Sequence, residues 1–172
     1  MKQAMREGEI PPALLLVETD RPGFRVETSL SKLGVRASEM AALAFEDCRI
    51  PNGNLIGRDN GGFLDSLATL TLGRIASAAF AIGVARAAYE ATVLHAGQRV
   101  QFGQPIASFQ AVRLGIADMA VQIEAARLLC HRAAIAVDRG LPHGREASMA
   151  KLFATETCTR VVERALHYHG AG

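Results

Sequence analysis

The sequence predicts an α+β fold in which a partial antiparallel β-sheet is followed by an up-down bundle of three long helices. The first third of the 172-residue chain contains short apolar runs closed by turn residues, which is typical of strands. From residue 61 onward the chain is rich in alanine and leucine and has long stretches free of proline, which is typical of helices. This change predicts a partial β domain over residues 1–58 and a helical domain over residues 59–172.

Turn residues divide the first 58 residues into predicted strands. The apolar run ALLLVETD, residues 13–20, is followed by Pro22 and Gly23, a pair that favours a turn. The stretch from Phe24 alternates apolar and polar residues, as expected of a pleated strand. A further strand is predicted over residues 42–50. About four strands would form an incomplete sheet with exposed edges.

The helical domain is predicted to contain three helices, over residues 61–98, 108–139 and 145–168. Ser108 is predicted to be the N-cap of the second helix, and Gly140 its C-terminal stop.

Two glycines interrupt the first of these helices. Gly73 and Gly83 each cost about 1 kcal/mol relative to alanine inside a helix. We therefore expect close helix packing or a ligand beside them.

The second helix is apolar on nearly all of its faces. Its apolar residues are Val112, Leu114, Ile116, Met119, Val121, Ile123, Leu128, Leu129, Ile135 and Val137. A helix that is apolar all round is buried all round, and three helices alone cannot cover such faces. The sequence therefore predicts further cover from another subunit or another segment, and we expect a homo-oligomer.

Composition and charge argue against several classes of partner. The chain carries 19 basic and 17 acidic residues without a basic stripe, and its 5% of aromatic residues includes no tryptophan, so no nucleic-acid partner is expected. Cys48, Cys130 and Cys158 are widely spaced, which indicates a reducing cytoplasm rather than a disulfide framework or a zinc cluster. Neither a signal peptide nor a membrane span is predicted.

Common catalytic and metal-binding signatures are absent from the sequence. His167 and His169 would point about 200° apart on a helix, so no metal site is predicted unless the helix has already ended there. Glu124 and Arg127 have the spacing of a structural ion pair. Arg74 lies in an apolar part of the first helix, where it would serve either in an internal ion pair or as a ligand anchor.

The stretch QRVQFGQPIASFQA, residues 98–111, separates the first two helices. An arginine at a helix C-terminus followed by Gly103 and Pro105 is ordinary helix-stop chemistry, and local physics alone favours that interpretation. The alternative is a diphosphate site, because guanidinium groups match phosphate oxygens in geometry and charge.

The same stretch carries a family resemblance. QRVQFGQPIASFQAVRLGIADMAVQIEAARLL resembles the acyl-CoA dehydrogenase pattern of R-x-Q-F-G, a loop, F-Q-A, A-D-M and E-A-A-R-L. LGVRASEMAALAFEDCRIPNGNLIG is similar to a stretch at the end of that family's β domain. EASMAKLFATET and the final HYHGAG resemble later segments, so the match is colinear from about residue 13 to residue 172.

The resemblance implies the second half of a β domain plus three of the four helices of a tetramerising bundle, with FAD held across a subunit interface. It implies that Arg99, Gln101 and Phe102 lie at the flavin pyrophosphate, with Phe109 and Gln110 near the same cofactor. It also implies a cradle for the adenosine side at residues 167–171. Within this cradle His167 replaces the family's glutamine, Ala171 replaces its second glycine, and Gly170 matches.

The resemblance implies acyl-CoA as substrate and an FAD-dependent oxidoreductase acting on CH–CH bonds. Thr71, Gly73 and Arg74 match the helix segment that lines the acyl-CoA pocket, although the family's frequent aspartate is replaced by Thr71. The carboxylate base is not matched, and its minority position holds Gly73, so no catalytic residue is assigned. We expect a truncated chain that is inactive alone. The alternative is a non-catalytic oligomerisation or nucleotide-binding module, as a dimer or a tetramer.

Overall fold

The computed structural model describes residues 13–57 and 61–170, which fall into two compact units divided between Leu67 and Ala68. The first unit contains short strands and the second contains the body of three long helices. This arrangement confirms the predicted fold class, while the domain boundary after residue 58 stays a prediction.

The strands form separate antiparallel pairs rather than the single incomplete sheet that we predicted. β1 (Leu14–Leu15) pairs with β4 (Leu55–Ile56), and β2 (Phe24–Ser29) pairs with β3 (Ala41–Phe45). β3 ends five residues before the predicted strand end at Ile50. A register irregularity between Val26 and Thr28 breaks the alternation that the sequence suggested.

The longer strand pair is fixed by side chains at its end. Phe24 and Phe45 are register partners whose ring centroids lie 5.3 Å apart. Gly23 precedes this pair with φ +86°, and a Cβ there would overlap the carbonyl oxygen of Glu46, so only glycine fits this turn.

The helices are α1 (Gly62–Gln98), α2 (Gln110–Asp138) and α3 (Gly144–His169). These bounds lie within two residues of the predicted ones, which confirms the three helices. Gly140 has φ +64° and donates to the Val137 carbonyl, and Leu141 donates to Ala136, so the predicted C-terminal stop of α2 is also confirmed.

The predicted N-cap of α2 was wrong. Ser108 belongs to a short 3-10 turn, and Phe109 occupies the N-cap position without a side-chain hydrogen bond. The turn places the serine hydroxyl one residue too early to receive the first free amides of the helix.

Small side chains form most of the helical core. One buried cluster joins alanines of all three helices with Cys130, and a second joins Met119 and Ile123 of α2 to Val161 and Ala165 of α3. The alanines of the first cluster are Ala78, Ala81, Ala126, Ala133, Ala150 and Ala154. Small residues let helix axes approach closely, so this packing is fixed by short inter-helix distances.

α1 has the length and the apolar composition of a membrane-spanning helix, although no membrane span was predicted from the sequence. Its segment Asp65–Gln98 has a mean hydropathy of 1.6 over the best window. Length and composition alone are a weak indication, because core helices of helical bundles pass the same test.

Candidate functional site

A tight hairpin follows α1, where the sequence predicted a helix stop with a diphosphate site as the alternative. β5 (Val100–Gln101) pairs with β6 (Gln104–Pro105) across the two residues Phe102 and Gly103. Both turn residues have positive φ, +53° and +79°, which is the geometry of a type I′ turn. Glycine at the second turn position was the signal in the sequence for this hairpin.

Phe102 is an unusual residue for its position. A bulky side chain at positive φ is uncommon, and 91% of this one is exposed. Its ring meets Phe109 edge-on, with centroids 6.2 Å apart. A strained, exposed aromatic at a hairpin tip is the kind of feature that functional sites retain.

Arg99 stands between α1 and the hairpin. Its backbone N–H donates to the His95 carbonyl at 2.8 Å, so it still follows the helical path. Its side chain is exposed, and within residues 13–57 and 61–170 no carboxylate lies in ion-pair distance of its guanidinium. The cation therefore remains accessible to an anion.

The other predicted residues of this stretch lie on the same segment. Gln101 is exposed on β5, and Gln110 is exposed at the first position of α2. Phe109 directly precedes Gln110 in the sequence, and its side chain is half-buried. Residues 99–110 therefore present one guanidinium, three side-chain amides and two aromatic rings.

The predicted adenosine cradle lies at the end of α3. Gly170 follows the helix with φ +69° and donates to the Leu166 carbonyl at 3.0 Å. His167 is exposed and packs at an angle on Tyr168, with centroids 6.1 Å apart. Ala171 lies outside the described residues.

A pair of stacked histidines joins these two segments. The imidazoles of His95 and His169 lie 4.4 Å apart at an interplanar angle of 25°. His95 is in the last turn of α1, one turn before Arg99, and His169 ends α3. The structure thus brings residues 99–110, here named the Arg99 segment, and the His167–Gly170 segment to one end of the bundle. Sequence reasoning missed His95, although basic residues in both last helical turns were visible.

The predicted substrate residues lie far from this end. Arg74 lies 25 residues before Arg99, which at 1.5 Å per residue separates them by roughly 37 Å along α1. Thr71 is buried, and a Cβ on Gly73 would meet nothing within 4 Å among the described residues. One chain therefore does not unite the predicted substrate and cofactor residues.

Arg74 makes a polar contact rather than an internal ion pair in this part of the chain. Its Nη1 donates to the Ser148 hydroxyl of α3 at 3.3 Å, and among the described residues no acid pairs with it. Gly83, like Gly73, has no neighbour within 4 Å of an added Cβ among those residues. Packing against the described residues therefore does not explain the two glycines.

The structural ion pair predicted on α2 is confirmed, with Arg127 Nη1 3.7 Å from Glu124 Oε2. Over the part of the chain that the structure describes, no group of three metal-ligating side chains occurs. His167 and His169 instead take part in separate ring contacts.

A groove of about 370 Å³ opens between α2 and α3 near the same end of the bundle. Its walls include Met119 and Gln122 of α2 and Arg160 and His167 of α3. Arg160 Nε donates to the Gln122 side-chain oxygen at 3.1 Å. This hydrogen bond connects α2 to α3 across the groove.

Asp118 connects the same helices. It accepts hydrogen bonds from Gln122 and from Arg164 of α3, and these contacts, in that order, hold the pKa of its carboxyl below the ordinary value. A carboxyl with a lowered pKa stabilises the fold above its unfolded pKa. That contribution is lost as the pH falls through the folded pKa.

We expect Asp118→Asn to be less stable than the wild type at pH 7, and the difference to shrink toward about pH 3 as the wild-type carboxylate takes up its proton. Urea unfolding at several pH values measures this. Glu124→Gln is the control, because its exposed 3.7 Å pair should contribute little. A deficit of Asp118→Asn that stays constant down to pH 3 would show that packing, not charge, matters there.

The sequence matches a family profile and a bacterial relative over most of its length. The profile described as "Acyl-CoA dehydrogenase, C-terminal domain" matches residues 60–172. Probable acyl-CoA dehydrogenase YngJ of Bacillus subtilis is 44% identical over 165 residues, which cover 96% of this chain and 43% of that protein.

Two solved structures are similar in fold. Butyryl-CoA dehydrogenase from Megasphaera elsdenii aligns with a TM-score of 0.91 and 36% identity, over 96% of this chain and 43% of the other. PigA, described with FAD and proline, aligns with a TM-score of 0.86 and 28% identity, over 93% of this chain and 42% of the other. The chain therefore spans about two fifths of the length of the relatives it matches.

Proposed function

The chain belongs to the acyl-CoA dehydrogenase family, and from this premise we propose that it supplies the C-terminal part of an FAD-dependent oxidoreductase acting on CH–CH bonds of acyl-CoA thioesters. The observation that carries the proposal is the meeting of two segments at one end of the bundle. The Arg99 segment and the His167–Gly170 segment are 57 residues or more apart in sequence, yet the His95–His169 stack links them.

The residues at this end fit the diphosphate of FAD. An accessible guanidinium and exposed amide side chains are hydrogen-bond donors, and a diphosphate is rich in acceptors and negative charge. We assign Arg99 to the diphosphate, with Gln101 and Gln110 as further donors. Phe102 and Phe109 offer ring faces beside it, and Gly170 lets the backbone approach closely. FAD, when bound, supplies the hydride acceptor of the reaction.

We assign Thr71, Gly73 and Arg74 to the acyl-CoA side. These residues lie near the other end of α1, so a complete site needs the cofactor end of one subunit beside the substrate end of another. Gly73 has no side chain and cannot remove a proton. The chain alone is therefore expected to bind flavin without dehydrogenating acyl-CoA.

We propose that the subunits meet through an apolar seam on α2. Leu114, Val121, Leu128 and Ile135 recur every seven residues, and all four are exposed. Residues seven positions apart lie on one face of a helix, and an exposed apolar stripe of this kind can pack against another subunit. The expected assembly is a homo-oligomer, a dimer or a tetramer. The widely spaced free cysteines favour the cytoplasm.

The alternative is a non-catalytic oligomerisation or nucleotide-binding module. The absence of a side chain at Gly73 favours this alternative, because no carboxylate base can stand at that position. The exposed apolar seam and the anion site would still serve assembly and nucleotide binding. Acyl-CoA turnover by the assembled enzyme would distinguish the two functions, since only the dehydrogenase oxidises substrate.

Arg99→Ala is expected to weaken FAD binding about tenfold to a hundredfold, because a hydrogen bond to a charged group contributes about 1.5–3 kcal/mol. Quenching of flavin fluorescence measures the affinity, and stability should change by no more than about 0.5 kcal/mol. Arg139→Ala is the matched control, since Arg139 is an exposed arginine at the C-terminus of α2. Wild-type affinity in Arg99→Ala would contradict the assignment of the diphosphate site.

A further inference from the structure

The stacked imidazoles of His95 and His169 hold together the two segments of the proposed flavin site. Both side chains are half-buried, and their ring centroids lie 4.4 Å apart. Each lies in the last turn of a helix, where free carbonyl oxygens favour positive charge. The pair therefore lies at the two helix ends that carry the segments of the proposed site.

Hydrogen bonding fixes the neutral form of one ring. Nδ1 of His169 lies 2.8 Å from the Ala165 carbonyl oxygen, which only accepts, so Nδ1 carries the hydrogen. Nε2 of neutral His169 then has a free lone pair. A proton from solvent can add there and give an imidazolium without breaking the bond to Ala165.

The charged groups around the pair are mostly basic. Arg99 follows His95 by four residues, just beyond the end of α1, Arg113 lies in the first turn of α2, and His167 precedes His169 on α3. Asp118 of α2 is bound to Arg164, and within the described ranges no carboxylate lies in ion-pair distance of either imidazole. Positive charge on the pair is therefore opposed until an anion arrives.

We propose that the His95–His169 pair takes up a proton when a diphosphate binds beside Arg99, so that flavin binding is coupled to protonation. This inference rests on the proposed flavin site. His95 and Arg99 are four residues apart and share a helix face, so the charge on the pair acts on the same ligand as the guanidinium. Because the bound form holds more protons than the free form, the affinity rises as the pH falls.

The test measures the affinity of the whole chain for FAD at pH 6, 7 and 8, with quenching of flavin fluorescence as the signal. FAD is the suitable probe because its diphosphate is a diester, without the phosphate monoester whose second ionisation falls near pH 6. We expect the wild type to bind FAD about fivefold more tightly at pH 6 than at pH 8. This is the size of effect expected when one positive charge is added near the diphosphate at the dielectric constant of a protein surface. Calorimetry in two buffers of different ionisation enthalpy should show proton uptake at pH 7.

His95→Phe keeps a stacking ring but cannot be protonated, so its affinity should lose most of the pH dependence. His95→Gln provides a second uncharged variant in case phenylalanine disturbs the packing. His131→Phe is the matched control, because it removes an exposed imidazole from α2 toward the helix's far end and should keep the wild-type pH dependence.

The outcomes separate this inference from the function on which it rests. If the wild type binds FAD equally tightly at pH 6 and pH 8, the proton coupling is overturned but the flavin site stands. The same holds if both His95 variants keep the pH dependence of FAD affinity. Absence of FAD binding at every pH overturns the proposed flavin site and this inference with it.

Discussion

Gly115→Ala is expected to lower the free energy of unfolding by about 2 kcal/mol, since overpacking a filled contact typically costs about 1–3 kcal/mol. A Cβ on Gly115 would overlap the hydroxyl oxygen of Tyr168 and lie 2.9 Å from its Cζ. The Tyr168 ring is half-buried at the end of α3, where it packs against the core cluster of Met119 and Val161. The clash should therefore outweigh the gain of about 1 kcal/mol that alanine brings to a helix.

Urea unfolding measures this effect, and a double-mutant cycle isolates its cause. Tyr168→Leu should remove most of the penalty of Gly115→Ala, because the overlapping atoms are gone. Gly83→Ala is the control, since an added Cβ there meets nothing within 4 Å among the described residues. That variant should be about 1 kcal/mol more stable than the wild type. A Gly115→Ala protein as stable as Gly83→Ala would mean that α2 and α3 approach less closely than the structure indicates.

Leu128→Glu is expected to dissociate the oligomer that we propose. Leu128 is 63% exposed in the middle of the seam formed with Leu114, Val121 and Ile135. In a symmetric assembly each copy would place a carboxylate in an apolar interface, and burying an unpaired charge is costly. Light scattering of the purified protein, with and without FAD, should give the monomer mass for this variant.

Thr159→Glu is the matched control for the seam. It also adds one carboxylate at an exposed helical position, but on α3 and outside the seam. We expect its mass to equal that of the wild type. An unchanged mass in Leu128→Glu, or a wild type that is itself monomeric, would contradict the assignment of this seam to subunit contact.

The sequence determined the elements that depend on local chemistry. Alanine-rich and leucine-rich composition without proline marked α1, α2 and α3 to within two residues, and Gly140 marked the end of α2, because helix propensity and caps act over a few residues. It also indicated that α2 carries more apolar surface than three helices cover, and Leu114 and Val121 are indeed exposed. The ordered family motifs placed Arg99 and Gly170 in one candidate site.

Only the tertiary structure decided which distant residues meet. Two histidines separated by 74 positions stack, and Tyr168 closes on Gly115, although no local pattern in the sequence specified either pair. The structure also divided the strands into separate pairs and placed Arg74 far from Arg99. Such contacts depend on how whole helices pack, and packing is set by the summed fit of many side chains rather than by any one segment.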